Sequence, residues 1–135
     1  MATERIDTEL PGAGSQVESA RRVLENLAEL EPELRGAAIY SGNGPARRLL
    51  AARDGDEEWA TVASELADAV EAAAVESFDS AHIALNEGEI FVVAEAGFTL
   101  VASTGRFVLA SLTGFDMRMS LRDLAGAHGP AGEKA

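Results

Sequence analysis

The chain has 135 residues, enough for one domain with a proper core and little room for a second. Its 23 acidic and 11 basic residues give a net charge of −12, which argues against nucleic acid or an anionic membrane surface as partner, because both need clustered Lys and Arg. The absence of cysteine excludes disulfides and thiolate metal sites, and no apolar run nears the roughly 20 residues of a membrane-spanning helix.

The first fourteen residues and the last ten (126–135) are rich in Gly, Pro, Ala and charge, and both are expected to be flexible tails around a domain of residues 15–125. The opening segment has no basic stretch followed by an apolar one, so no secretory signal is expected and the protein is placed in the cytoplasm.

Ser15-Gln16-Val17-Glu18 has the pattern of a capping box and predicts a helix start. Val17, Ala20, Val23, Leu24, Leu27 and Leu30 then recur at helical spacing until Pro32 ends the helix. Gly36–Ser41 reads as a strand, residues 42–45 (GNGP) as a tight turn, and Ala46–Ala52 as the hairpin partner.

A second helix is predicted over residues 56–77, and its side chains sort into three sectors at about 100° per residue. Trp59, Val62, Ala63, Leu66, Ala69, Val70 and Ala73 form a core stripe, whereas Glu58, Glu65, Asp68 and Glu76 form an acidic one. Between them lie Ala60, Ser64, Ala67, Glu71 and Ala74, ending at Phe78. Small side chains permit close approach, so this third sector is expected to meet a second helix. Glu71 interrupts it, and the alternative that alanine simply favours helix stays open.

From residue 81 to 113 four strand-like runs follow: AHIALN, EIFVVAEA, FTLVAST and RFVLASLT. The second and fourth are apolar without clean alternation, and strands greasy on both faces must be covered on both faces. Helices or another subunit must therefore lie on each side of the sheet. A last helix is predicted from Phe115 to about Ala125, with Met117, Leu121 and Leu124 along one side.

No constellation of catalytic or ligating residues stands out. His82 falls in a strand and His128 in a tail, with no metal-ligand spacing between them. The Gly-rich residues 11–15 lack the lysine of a phosphate-binding loop. Acidic residues 54–58 lack the ligand spacing of a calcium loop and suit a helix N-terminus instead. Ser41, Ser103 and Ser111 have no nucleophile-elbow setting. No catalytic residue, cofactor or metal is expected.

The opening helix ending in LAEL, the following PELRGAAIYSGNG, the late FTLVASTGRFVLASLTG and the closing FDMRMSLRDL together resemble the Roadblock / dynein light-chain family, in its prokaryotic branch. The resemblance spans roughly residues 16–125 and rests on order and spacing. It implies a three-layer, longin-like α+β sandwich of the form α-ββ-α-β(3–4)-α, with an antiparallel sheet and helices on both faces. It also implies a homodimer with the second helices packed antiparallel, and a role as adaptor or regulator of a small Ras-like GTPase, without an active site. On that reading Ala60, Ser64, Ala67, Glu71, Ala74 and Phe78 face the mate, and Glu58, Glu65, Asp68 and Glu76 remain for a partner. The departure is the strand count, four runs where the family has three. It leaves open whether AHIALN is an extra edge strand or the first half of a longer hairpin. An alternative class is a small-molecule sensor of PAS-like or profilin-like architecture, which needs a pocket lined by aromatics. Five Phe, one Trp and one Tyr supply few.

Overall fold

A computed structural model describes residues 13–42, 44–53, 57–74 and 79–128. Helix α1 (Ala13–Leu30) leads into strand β1 (Leu34–Ser41), a short 3-10 turn (Gly44–Ala46) and strand β2 (Arg48–Arg53). Helix α2 (Glu57–Ala73) follows, then β3 (Ser80–Ala84), β4 (Glu89–Glu95), β5 (Phe98–Thr104) and helix α3 (Ala110–His128). The strands form one antiparallel sheet in the order β2-β1-β5-β4-β3. It is the Roadblock/longin α+β arrangement: α1 and α3 pack on one face and α2 on the other.

The alternation of each strand sorts the core into two halves. Ala37, Ile39, Phe91, Val93, Phe98, Leu100 and Ala102 point toward α1 and α3, meeting Ala20, Leu24, Leu27, Met117, Leu121 and Leu124. Ala38, Tyr40, Val92 and Val101 point the other way, under Ala63 and Ala67 of α2. The β4–β5 hairpin closes through Ala96 and Gly97, both with positive φ, as the right-handed twist of a two-residue hairpin demands.

Four sequence expectations require correction here. Helix α1 starts at Ala13, so Ser15 stands inside its first turn, and Glu18 pairs with Arg21 one turn on. Arg106–Thr113 is not a strand. The chain reverses after Gly105, whose N–H donates to the Glu33 carbonyl at 2.9 Å, and passes through Phe107 in the left-handed region at φ 66°. Glu89 Oε2 accepts the Phe107 N–H at 3.1 Å and fixes that turn. From there the apolar spacing becomes helical, with Thr113, Met117, Leu121 and Leu124 buried in succession, so α3 begins five residues before Phe115. With that run removed, the strands after α2 number three, and AHIALN supplies most of β3. At its far end α3 extends to His128, beyond the predicted stop at Ala125.

The fourth correction concerns the rotation of α2. Ala67, expected to face a mate, is fully buried against the chain's own sheet, and Ala63 beside it likewise. Val62, Ala69 and Ala73, expected in the core, are exposed. Small residues do permit close approach here, but of helix to sheet rather than helix to helix. The same closeness lets the Tyr40 hydroxyl donate to the Ala60 carbonyl at 2.6 Å. It also brings Trp59 over Gly36, where a Cβ would lie 3.3 Å from the indole. Substituting Ala67→Arg should therefore cost about 2 kcal/mol or more of folding stability, by overpacking and by burying a charge. Urea unfolding followed by circular dichroism measures it, and a variant as stable as wild type would return Ala67 to the surface.

Candidate functional site

Helix α2 presents three different flanks, and its angular spacing determines what each can do. The flank toward β2 is polar. The Arg47 guanidinium, with its side chain only 2% exposed, pairs with Asp68 and Glu71, and Glu71 Oε1 also accepts the Gly44 N–H at 3.2 Å. Burial alone pushes the Arg47 pKa down, but the two carboxylates outweigh it and raise it above its ordinary value. Next to this cluster Tyr40 is pushed up to about 12, by burial and against the pull of Arg47. Here a shallow cleft of about 340 Å³ opens, lined by Tyr40, Arg47, Leu49, Ala60, Thr61, Ser64 and Glu65. One aromatic ring among seven lining residues is not the enclosed aromatic pocket that a sensor domain requires.

Among the described side chains, the opposite flank is apolar. Val62, Leu66, Ala69 and Ala73 follow one another at helical spacing, with Trp59 and Val70 at its sheet-side margin. Because the polar flank faces β2, this apolar one faces β4 and β3. Ala81, Ile83 and Ile90 stand on the same side of the sheet there, with Ile83 opposite Ile90 in the strand register. Val62 is 42% exposed and Ile83 36%, so the strip is partly open. Beside it β3 is the outermost strand on that side of the sheet, with one of its edges unpaired among the described residues.

The residues picked from sequence distribute over these flanks unevenly. Ala60, Ser64, Glu71 and Ala74 are half-buried, with Ala60 and Ser64 in the cleft and Glu71 committed to Arg47. Glu65 and Asp68 are exposed on the outer surface, Asp68 sharing Arg47. The Glu58 side chain, Glu76 and Phe78 lie outside the described residues, as does the acidic loop 54–56. Ile83 and Ile90 were missed, and a signal existed: they alternate with His82 and Phe91 on adjacent strands. His82 stacks on Phe91 at 4.6 Å, and its Nε2 lies 2.6 Å from Glu89 Oε1. Among the described residues no group of three His, Cys, Asp or Glu is placed to hold a metal ion, and no helix is long and apolar enough to cross a membrane.

This geometry is shared with solved structures. A Roadblock/LC7 domain from Streptomyces avermitilis superposes with a TM-score of 0.64 at 20% identity, over 78% of this chain and 94% of that one. The fold is that of a Roadblock domain. The gliding protein MglB from Thermus thermophilus gives a TM-score of 0.61 at 22% identity, over 83% of this chain and 92% of its own. Myxococcus xanthus MglB gives 0.69 at 11% identity, over 100% and 99%. No protein-family model matches the sequence, and no curated protein matches it significantly. The likeness to the Roadblock fold thus lies in shape, with most side chains changed.

Removing the buried cation tests the polar flank. Arg47→Met should destabilise the chain by about 1–2 kcal/mol, because Glu71 is left half-buried without its partner while Asp68 turns to solvent. The double variant Arg47→Met, Glu71→Gln should recover part of that loss in denaturant unfolding. No recovery would mean that the arginine acts through its packing alone.

Proposed function

We propose that the chain is a non-catalytic interaction module that works as a homodimer and regulates or scaffolds a small Ras-like GTPase in the cytoplasm. The observation that carries the dimer is the uncharged strip of Val62, Leu66, Ala69 and Ala73, continuous with Ile83 and Ile90 and lying beside an unpaired sheet edge. A second copy related by a two-fold axis covers such a strip with its own, α2 antiparallel to α2. The same operation brings β3 beside β3 and satisfies the open backbone groups of both edges. This reading keeps the second helix as the interface and moves the contact from the Ala67 sector to the strip around Leu66.

The GTPase half of the proposal rests on the likeness in fold to the two MglB proteins and to the Roadblock/LC7 domain. The Roadblock fold is one of adaptors, and no cluster of reactive side chains on α2 argues for chemistry. Glu65 and Asp68 stay exposed on α2 and give the dimer an acidic surface suited to a basic partner face.

Calorimetric titration of a Ras-like GTPase from the same organism, loaded in turn with GDP and with a non-hydrolysable GTP analogue, tests this. Binding should favour one nucleotide state, and Glu65→Lys should weaken it by about two- to fivefold at low salt and less at high salt. A protein that binds such GTPases in neither state has another role. Equal affinity in the lysine variant would remove the acidic surface from the contact.

A further inference from the structure

Helices α1 and α3 share one face of the sheet, with α1 over β2 and α3 over β4 and β5. The flank of α3 turned away from α1 therefore lies beside β3. Two contacts mark that direction: Arg118 Nε is 3.6 Å from Glu95 Oε1, and Arg122 Nε is 2.9 Å from Glu95 Oε2, at the end of β4. Phe115 stands two helical turns before Arg122, hence on the same line of the helix, and is 55% exposed. Gly114, one turn before Arg118, leaves a notch beside it, for a Cβ there would meet nothing within 4 Å.

Across from this flank, Ser80, His82 and Ala84 of β3 are exposed on the face that Phe91 shares. Glu89, level with Ala84 in the register, accepts the Phe107 N–H and so brings that ring, 84% exposed, to one end of the strand. A trough thus runs between β3 and α3 along the seven residues of β4, about 20 Å. One end is aromatic and the other basic. The basic end also departs from the sign of a chain whose net charge is −12. Among the described residues Glu95 is the only ionic partner of both arginines, and one carboxylate cannot neutralise two guanidiniums. Asp116 and Asp123 lie about 100° or more around the helix from Arg122, toward the other flank.

We infer that this trough docks a short acidic segment of a partner protein. An apolar side chain of the segment packs on Phe107 and Phe115, and its carboxylates meet Arg118 and Arg122. Exposed rings gain by such burial, and guanidiniums suit carboxylates in paired N–H···O geometry. At 0.1 M salt, charge further than about 10 Å away is largely screened, so the local arginines outweigh the net charge of the chain. The trough lies on the face of the sheet opposite α2, and it is complete within one chain. A partner held here leaves the α2 surface open, so the chain can hold two proteins at once, one on each face.

The test is fluorescence anisotropy of the full chain with a labelled peptide of about ten residues, Phe and Leu at one end and Glu at the other. Saturable binding is expected, and Arg118→Glu with Arg122→Glu should weaken it about tenfold. Phe115→Ser should weaken it about fivefold, as should replacing the peptide's Phe and Leu by Ser. Glu65→Lys on the α2 face should change it by less than about twofold, which separates this site from the GTPase contact. No saturable binding to the wild type overturns the proposal, as does a double variant that binds as the wild type does. Should that variant fail to fold, amide NMR shifts of the wild type decide. Shifts at Phe107, Gly114, Phe115 and along β3 on adding the peptide support the trough, and shifts confined to α2 refute it.

Discussion

One mismatch of widths governs this molecule. Five strands spaced about 4.8 Å apart span about 19 Å between the outermost backbones, whereas a helix with its side chains is about 10 Å across. On one face two helices, α1 and α3, match that width and bury Phe91, Phe98, Leu100 and Ile39 completely or nearly so. The other face is also apolar but has α2 alone, seated over β1, β5 and β4. A single helix cannot reach both edges. What it leaves open toward β3 is apolar, and toward β2 Arg47 and its two carboxylates border a shallow cleft.

That asymmetry explains why α2 carries two kinds of alanine. Ala63 and Ala67 are small because the helix axis must come close to the sheet, close enough for the Ala60 carbonyl to accept the Tyr40 hydroxyl. Ala69 and Ala73 lie on the open flank, where a small residue leaves room for an approaching helix. The sequence pattern alone does not separate the two kinds, since each recurs at helical spacing. Only the direction in which the sheet lies breaks the tie, and that direction depends on contacts distant in sequence.

Much of the fold was legible from periodicity. The α1 stripe, the GNGP turn and the run EIFVVAEA, apolar without clean alternation, lead to a sheet covered on both faces, as observed. The run after Gly105 was not legible. Phe107, Val108 and Leu109 have strand-like composition, and what turns them aside is a left-handed Phe107 tied to Glu89, 18 residues earlier. Local propensity cannot anticipate an anchor of that kind. The candidate interface divided in the same way: the choice of α2 came from spacing, whereas Ile83 and Ile90 enter only through the register of β3 with β4. Glu31 was invisible for a similar reason, because its partner Thr113 is brought to it by the packing of α3 on α1.

The claim on which the account turns is that the open strip beside α2 is closed by a second copy. Light scattering across a dilution series reads this directly, with wild type run beside Val62→Arg, a change at an exposed position that spares the monomer core. The account predicts a wild-type mass near twice 14.1 kDa, and a variant near 14.1 kDa with its helix content intact. A wild type that is monomeric at every concentration, or a variant that remains a dimer, would contradict it.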